Sequence, residues 1–253
     1  MLAAAPRLNL WRALVDNDMS FFLDQRFVRT GFFELTEESV SIDDEPDGAV
    51  LVRIRYRTAF GDEVLHSQRI LRVSPDEFEF VETVKLPEGT ADGLRVGVEF
   101  ELAGTFDDME WVGLGPWENY PDRRASALLG RWTSTINDAA VPYVLPQENG
   151  GRGDVRSVRL TGPVGVVTTT HDSPMQLTVA RHTVQELEAA KHWWELPESR
   201  RTIVQLDIAH RGLGTAQLGP DTRPEFRLTD LEYHWSWRLR VGSAADTESH
   251  PRD

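Results

Sequence analysis

An all-β protein is the fold class this sequence predicts, and three observations carry it. Apolar and polar residues alternate in one short run after another, the period-2 signature of strands buried on one face. Turn formers separate these runs at close spacing. A single segment carries a helical signature. A chain of 253 residues without a helical layer must bury its strands sheet against sheet, so the expected architecture is a large antiparallel β-sandwich with one short helix. No internal repeat is visible, which argues against a propeller or a β-helix.

Taken in order, residues 1–10 read as a lead-in. Trp11 to Asp18 follows as a turn. There Asp16, Asn17 and Asp18 satisfy backbone donors or, alternatively, offer oxygen ligands to a metal. Residues 37–48, rich in acid, Pro and Gly, read as a loop. Val50, Val52, Ile54, Tyr56 and Phe60 fall on one face of the next segment, with Arg53, Arg55 and Arg57 on the other. This is a half-buried antiparallel strand whose arginines line its solvated side. Gly61-Asp62 turns it, and Val64 to Val73 returns. Phe78, Phe80, Glu82, Val84 and Leu86 alternate, as do Val96, Val98, Phe100 and Leu102. Further strands are expected over 155–160, 164–170 and around Leu177 and Val179. Thr183 and Glu186 have capping-box spacing before the stripe Val184, Leu187 and Ala190, which marks the helix. Val204, Leu206 and Ile208 form one more strand, and Tyr233, Trp235, Trp237, Leu239 and Val241 the last. One domain, 1–242, is expected, followed by a polar tail, 243–253.

Composition excludes several classes. The net charge of −14 argues against nucleic acid and anionic membrane as partners, because phosphate binding needs a basic face. The chain has no cysteine, so disulfides, thiolate nucleophiles and Cys-based metal sites are excluded. No apolar run is long enough for a membrane helix, and the N-terminus lacks a signal-peptide pattern. A cytoplasmic location is the expectation. The histidines occur singly and no ligand-spaced pair is found, so no metal and no cofactor are expected. His182 and His210 read as hydrogen-bonded structural residues. His192 and Glu195, flanked by Trp193 and Trp194, read as a packed helix end. There is no nucleophile elbow and no P-loop.

The densest stretch is Trp111 to Arg123, which packs glycines, a proline, two tryptophans, a tyrosine and paired charges into one corner. It is either clamped to the core by its aromatics or faces a ligand. Asp122 and Arg123 can pair with each other. Within it, Gly113-Leu114-Gly115-Pro116-Trp117-Glu118-Asn119-Tyr120-Pro121-Asp122-Arg123 resembles a motif of the C-terminal small-chain domain of family 2 β-galactosidases. Val141-Pro142-Tyr143-Val144-Leu145-Pro146-Gln147-Glu148-Asn149-Gly150, continuing to Asp154-Val155-Arg156, resembles a second. Trp11-Arg12-Ala13 with Asp16-Asn17-Asp18 resembles the motif that opens that domain, although Leu14-Val15 stands where Pro-Thr is usual. Gly212-Leu213-Gly214 to Gly219-Pro220-Asp221 resembles the glycine-rich loop near its end.

The resemblance implies a galactose mutarotase-like supersandwich. It implies a non-catalytic part of a β-galactosidase that docks on a catalytic (β/α)8 barrel, in cis or as a separate large subunit. The catalytic glutamates of the family belong to that barrel, so this chain is expected to be inactive alone, and Glu118 and Glu148 to satisfy backbone donors in their loops. The family's terminal loop reaches the leaving-group side of the active site, which places Leu218 and Gly219 there. Some members carry a Trp at the position of Leu218. Carbohydrate is an expected partner, and Trp117, Glu118, Tyr120, Tyr143 and Glu148 are candidates to face sugar or the interface. The loops 111–123 and 212–221 are expected to border an exposed apolar patch. A homo-oligomer, a free-standing aldose epimerase-like protein and a carbohydrate-binding protein of the same fold remain open alternatives.

Overall fold

The computed structural model describes residues 2–90, 93–214 and 221–243, leaving aside the Phe21 side chain. Among these, twelve strands join one antiparallel sheet that curls on itself. They are β1 (Arg7–Asn9), β2 (Leu35–Asp44), β3 (Val50–Thr58), β4 (Glu63–Ser74), β5 (Glu77–Lys85), β6 (Arg95–Glu101), β7 (Asp108–Gly115), β8 (Leu128–Thr135), β9 (Arg152–Gly162), β10 (Gly165–Ala180), β11 (Ile203–His210) and β12 (Glu232–Gly242). The helices are α1 (Leu23–Val28), α2 (Ile136–Ala139) and α3 (Val184–Ala189). The sheet runs β1-β6-β11-β10-β12-β5-β4-β3-β2, while β9 pairs with β10 and β7, and β7 with β8.

The curl is visible in the core. Phe100 of β6 stacks on Trp237 of β12 with centroids 5.5 Å apart, although β11 and β10 separate the two strands in the sheet. Phe80 stacks on the same indole at 4.2 Å. The alternating residues Val96, Val98, Val204, Leu206, Leu177, Val84, Trp235 and Leu239 fill the space between the faces, all buried. Glu82, predicted on this apolar face, lies there fully buried. Gln68 and Trp237 Nε1 donate to its Oε1 at 2.9 and 3.0 Å, and His66 Nε2 lies 2.8 Å from Oε2, so both oxygens of the buried carboxyl group have partners.

Several expectations need correction. The loop read over 37–48 is in large part β2, an edge strand. Its acidic side chains hid its strand character, and such charges guard an open edge against unwanted pairing. The lead-in contains β1, paired with β6. The strands read on either side of Pro174 are one strand, β10, bent at a bulge between Thr170 and Met175. Phe60 lies in the β3–β4 turn, exposed, rather than on the strand face. Beside the predicted helix stand α1 and α2, each too short to show a helical period. The last strand, β12, ends at Gly242, and residues 244–253 of the expected polar tail lie outside the described part.

Candidate functional site

The alternation that fills the core leaves the other face of β6, β11 and β10 carrying Arg95, Gln205, Asp207, Gln176 and Thr178. Each of these is buried. What covers them is a cap built from the four motif segments. Arg95 meets Asp207 through Nε and Nη2, at 3.1 and 2.6 Å, and donates from Nη1 to Gln205 Oε1. Burial pushes the Asp207 carboxyl up to about 6, outweighing the pull of the Arg95 cation. Arg95 is held above the ordinary arginine range because Asp207 and Glu148 outweigh the opposing effect of burial.

Onto this base the motifs lock together. In the opening motif, Arg12 donates to both Asp18 oxygens, at 2.7 and 3.2 Å, and Asp18 also accepts from Val15 N at 2.8 Å. The acidic triplet therefore makes a turn. Asn17 Nδ2 donates to Leu213 O at 3.1 Å, tying the opening motif to the fourth. Gln147 Oε1 accepts from Asp16 N at 3.2 Å, tying it to the second block. Tyr120 OH donates to Glu148 at 3.3 Å and accepts from Gly151 N at 3.1 Å. A Cβ on Gly151 would stand 2.7 Å from the Tyr120 ring, so only glycine lets the block lie on it.

Asp122 is the central clamp. It accepts from Leu213 N at 3.0 Å, from Gly214 N at 2.9 Å and from Thr222 Oγ1 at 3.2 Å. Gly212 packs so closely that a Cβ there would lie 2.6 Å from the carboxylate. The expected Asp122–Arg123 pairing is replaced: Arg123 bonds Glu118 and lies over the Tyr120 ring at 5.6 Å. Asp221, at the end of the fourth motif, accepts from Arg211 at 2.6 Å and Arg26 at 3.1 Å.

The candidate residues divide accordingly. Trp117 is 70% exposed. Glu118 accepts from Gly150 N at 2.8 Å and from Tyr143 OH and Arg123, which meets the expectation of a backbone role. Glu148 differs: its partners are the side chains Tyr120, Thr178 and Arg95. Tyr120 and Glu148 are buried within the cap, while Tyr143 is half-buried at its surface. Glu148, Thr178 and Gln205 line a cavity of about 220 Å³ beneath α3. Leu218 and Gly219 lie outside the described residues. His182 and His210 bond the carbonyls of Pro197 and Arg211, as read. Burial holds His210 well below the usual histidine range.

Sequence reasoning missed Arg95, Asp207 and Gln176, because polar residues at alternate strand positions read as a wet face. It missed Asn119 too, which accepts from Gly153 N at 2.8 Å and whose carbonyl accepts from Gln176 at 2.8 Å. No helix among the described residues is long and apolar enough to cross a membrane.

A family model described as "Beta galactosidase small chain" matches residues 1–239. A β-galactosidase of Arthrobacter sp. (strain B7) is 31% identical over 254 residues, covering 89% of this chain and 25% of the relative. One from Oenococcus oeni is 29% identical over 250 residues, 94% of this chain and 24% of the relative. The chain thus spans about a quarter of the length of these relatives. Among solved structures, a putative aldose 1-epimerase from Escherichia coli K12 aligns with a TM-score of 0.40 at 13% identity, over 81% of this chain and 69% of the other.

Proposed function

Because this chain belongs to the β-galactosidase small-chain family, we propose that it is the C-terminal domain or small subunit of a β-galactosidase. In this role it docks on a separate catalytic part and shapes the leaving-group side of an active site for β-D-galactosides. One observation carries the reading: four segments from residues 11 to 221 converge in one cap, and that cap is bonded to the base of the terminal loop. Asp122 fixes Leu213 and Gly214 just before the loop, and Asp221 fixes its far end on Arg211 and Arg26. A rigid base at both ends is what a loop needs to present a side chain in a defined place.

The carboxylates of the motifs support a non-catalytic role. Glycoside hydrolysis uses an acid and a base or nucleophile facing the same bond. Glu118 and Glu148 are instead engaged inside the cap by backbone, tyrosine and arginine donors. Sugar contact in this proposal comes from Leu218 and Gly219, with the exposed Trp117 and the edge of Tyr143 on the same cap.

Leu218→Trp in the complete enzyme tests the reading. Burying Leu218 against a sugar is worth roughly 1 kcal/mol, and a flat indole adds about as much again. The variant is expected to bind acceptor sugars more tightly and to raise transglycosylation over hydrolysis. Unchanged acceptor affinity would remove Leu218 from the leaving-group side. Polarimetric mutarotation by the isolated chain would favour the epimerase alternative instead.

A further inference from the structure

The segment after α3 holds two tryptophans where packing was expected, and both are exposed: Trp193 by 48% and Trp194 by 60%. Beside them Val144 is 67% and Leu145 39% exposed. Resting on the reading above, we infer that this apolar platform, Trp193–Trp194 with Val144 and Leu145, is the contact on which the catalytic part of the enzyme seats.

The platform is held by polar bonds rather than by burial. Glu195 accepts from Lys191 N at 2.9 Å and meets His192 Nδ1 at 2.9 Å. The His192 ring stacks on Trp194 with centroids 4.4 Å apart and planes 12° from parallel. Trp193 stands edge-on to Trp194 at 5.9 Å. Its backbone N–H donates to Val144 O at 3.1 Å, which joins the platform to the second motif block and so to the cap. Two large indoles are therefore oriented before any partner arrives, which lowers the entropy lost on binding.

The chemistry fits a protein better than a sugar. Tryptophan is enriched at the desolvated centre of protein interfaces. A sugar needs hydrogen-bonding partners beside its stacking surface, and here the nearby His192 and Glu195 are paired with each other. The occupant follows from length. The relatives carry this domain within chains about four times as long, so a large neighbour is part of the same enzyme in each.

The test uses this chain and the catalytic part produced as a separate polypeptide. The double variant Trp193→Ala/Trp194→Ala is expected to keep the thermal midpoint of the parent, since both side chains are exposed. In calorimetric titration it should bind the catalytic part at least ~30-fold more weakly. Val144→Arg places a charge on the same platform from another segment and should weaken binding in the same direction, which guards against a folding defect in the double variant. Parent-like affinity in both variants would overturn the inference while leaving the docking reading intact. No binding by the parent chain would overturn both. A parent that sediments as a dimer, with monomeric variants and unchanged affinity for the catalytic part, would assign the platform to a second copy and overturn the inference. So would tryptophan quenching by galactose that the double variant loses while docking is kept.

Discussion

Asp122 is the residue on which the cap most visibly depends. Its carboxylate takes two backbone N–H groups of the fourth motif and the Thr222 hydroxyl. Removing it leaves these donors unpaired in a tight corner. Asp122→Ala is expected to cost about 1–3 kcal/mol in chemical denaturation, and a loss within a few tenths would show that water replaces the carboxylate. The sequence singled out this residue for its position in a dense motif but could not assign its partner, because the partner lies some ninety positions away. A second residue makes the fold pH-sensitive. Burial lowers His171 to about 4; its Nδ1 lies 3.2 Å from Val155 O and its Nε2 3.0 Å from Thr169 Oγ1. Its folded pKa is below the unfolded value of about 6.5, so its contribution is present above that pH and is lost as pH falls toward 4. The loss amounts to about 3 kcal/mol at roughly 1.4 kcal/mol per pKa unit. His171→Gln should therefore flatten the stability curve of the parent between pH 6.5 and 4; parallel curves would show that His171 is protonated in the folded state.

At the scale of elements, the alternating sets were legible because one face of each strand is dry. Val50–Thr58, Ile203–His210 and Glu232–Gly242 formed where the alternation placed them. β2 was not legible, since an edge strand with both faces largely wet has no apolar period to read. The helix was found through its cap. Thr183 accepts from Glu186 N at 3.2 Å and Glu186 accepts from Thr183 N at 2.8 Å. Thr183→Ala should cost about 1 kcal/mol in urea denaturation with the slope unchanged. A neutral result would mean that contacts of α3 with the core, such as buried Val184, set its stability alone. The exposed tryptophans after α3 show the opposite failure. Composition reads two adjacent indoles as packed, yet both are exposed, in a turn where Glu195 bonds Lys191 N and His192 and the His192 ring stacks on Trp194.

At the scale of the molecule, the curled sheet provides two differently used surfaces. One face of β6, β11 and β10 is apolar and closes on the Trp237 side. The other is polar, buried beneath the motif cap, and held by Arg95, Asp207 and Glu148. The motif residues therefore hold both flanks of the segment between Gly214 and Asp221 in place, as the proposed role at the leaving-group side requires. The most direct measurement is turnover of an aryl β-galactoside by this chain alone, by the separately produced catalytic part alone, and by the two mixed. The account predicts no turnover by the chain alone and a rise in activity when the two are combined. Robust turnover by the isolated chain would contradict it, as would a catalytic part whose activity and leaving-group selectivity are unchanged when this chain is added.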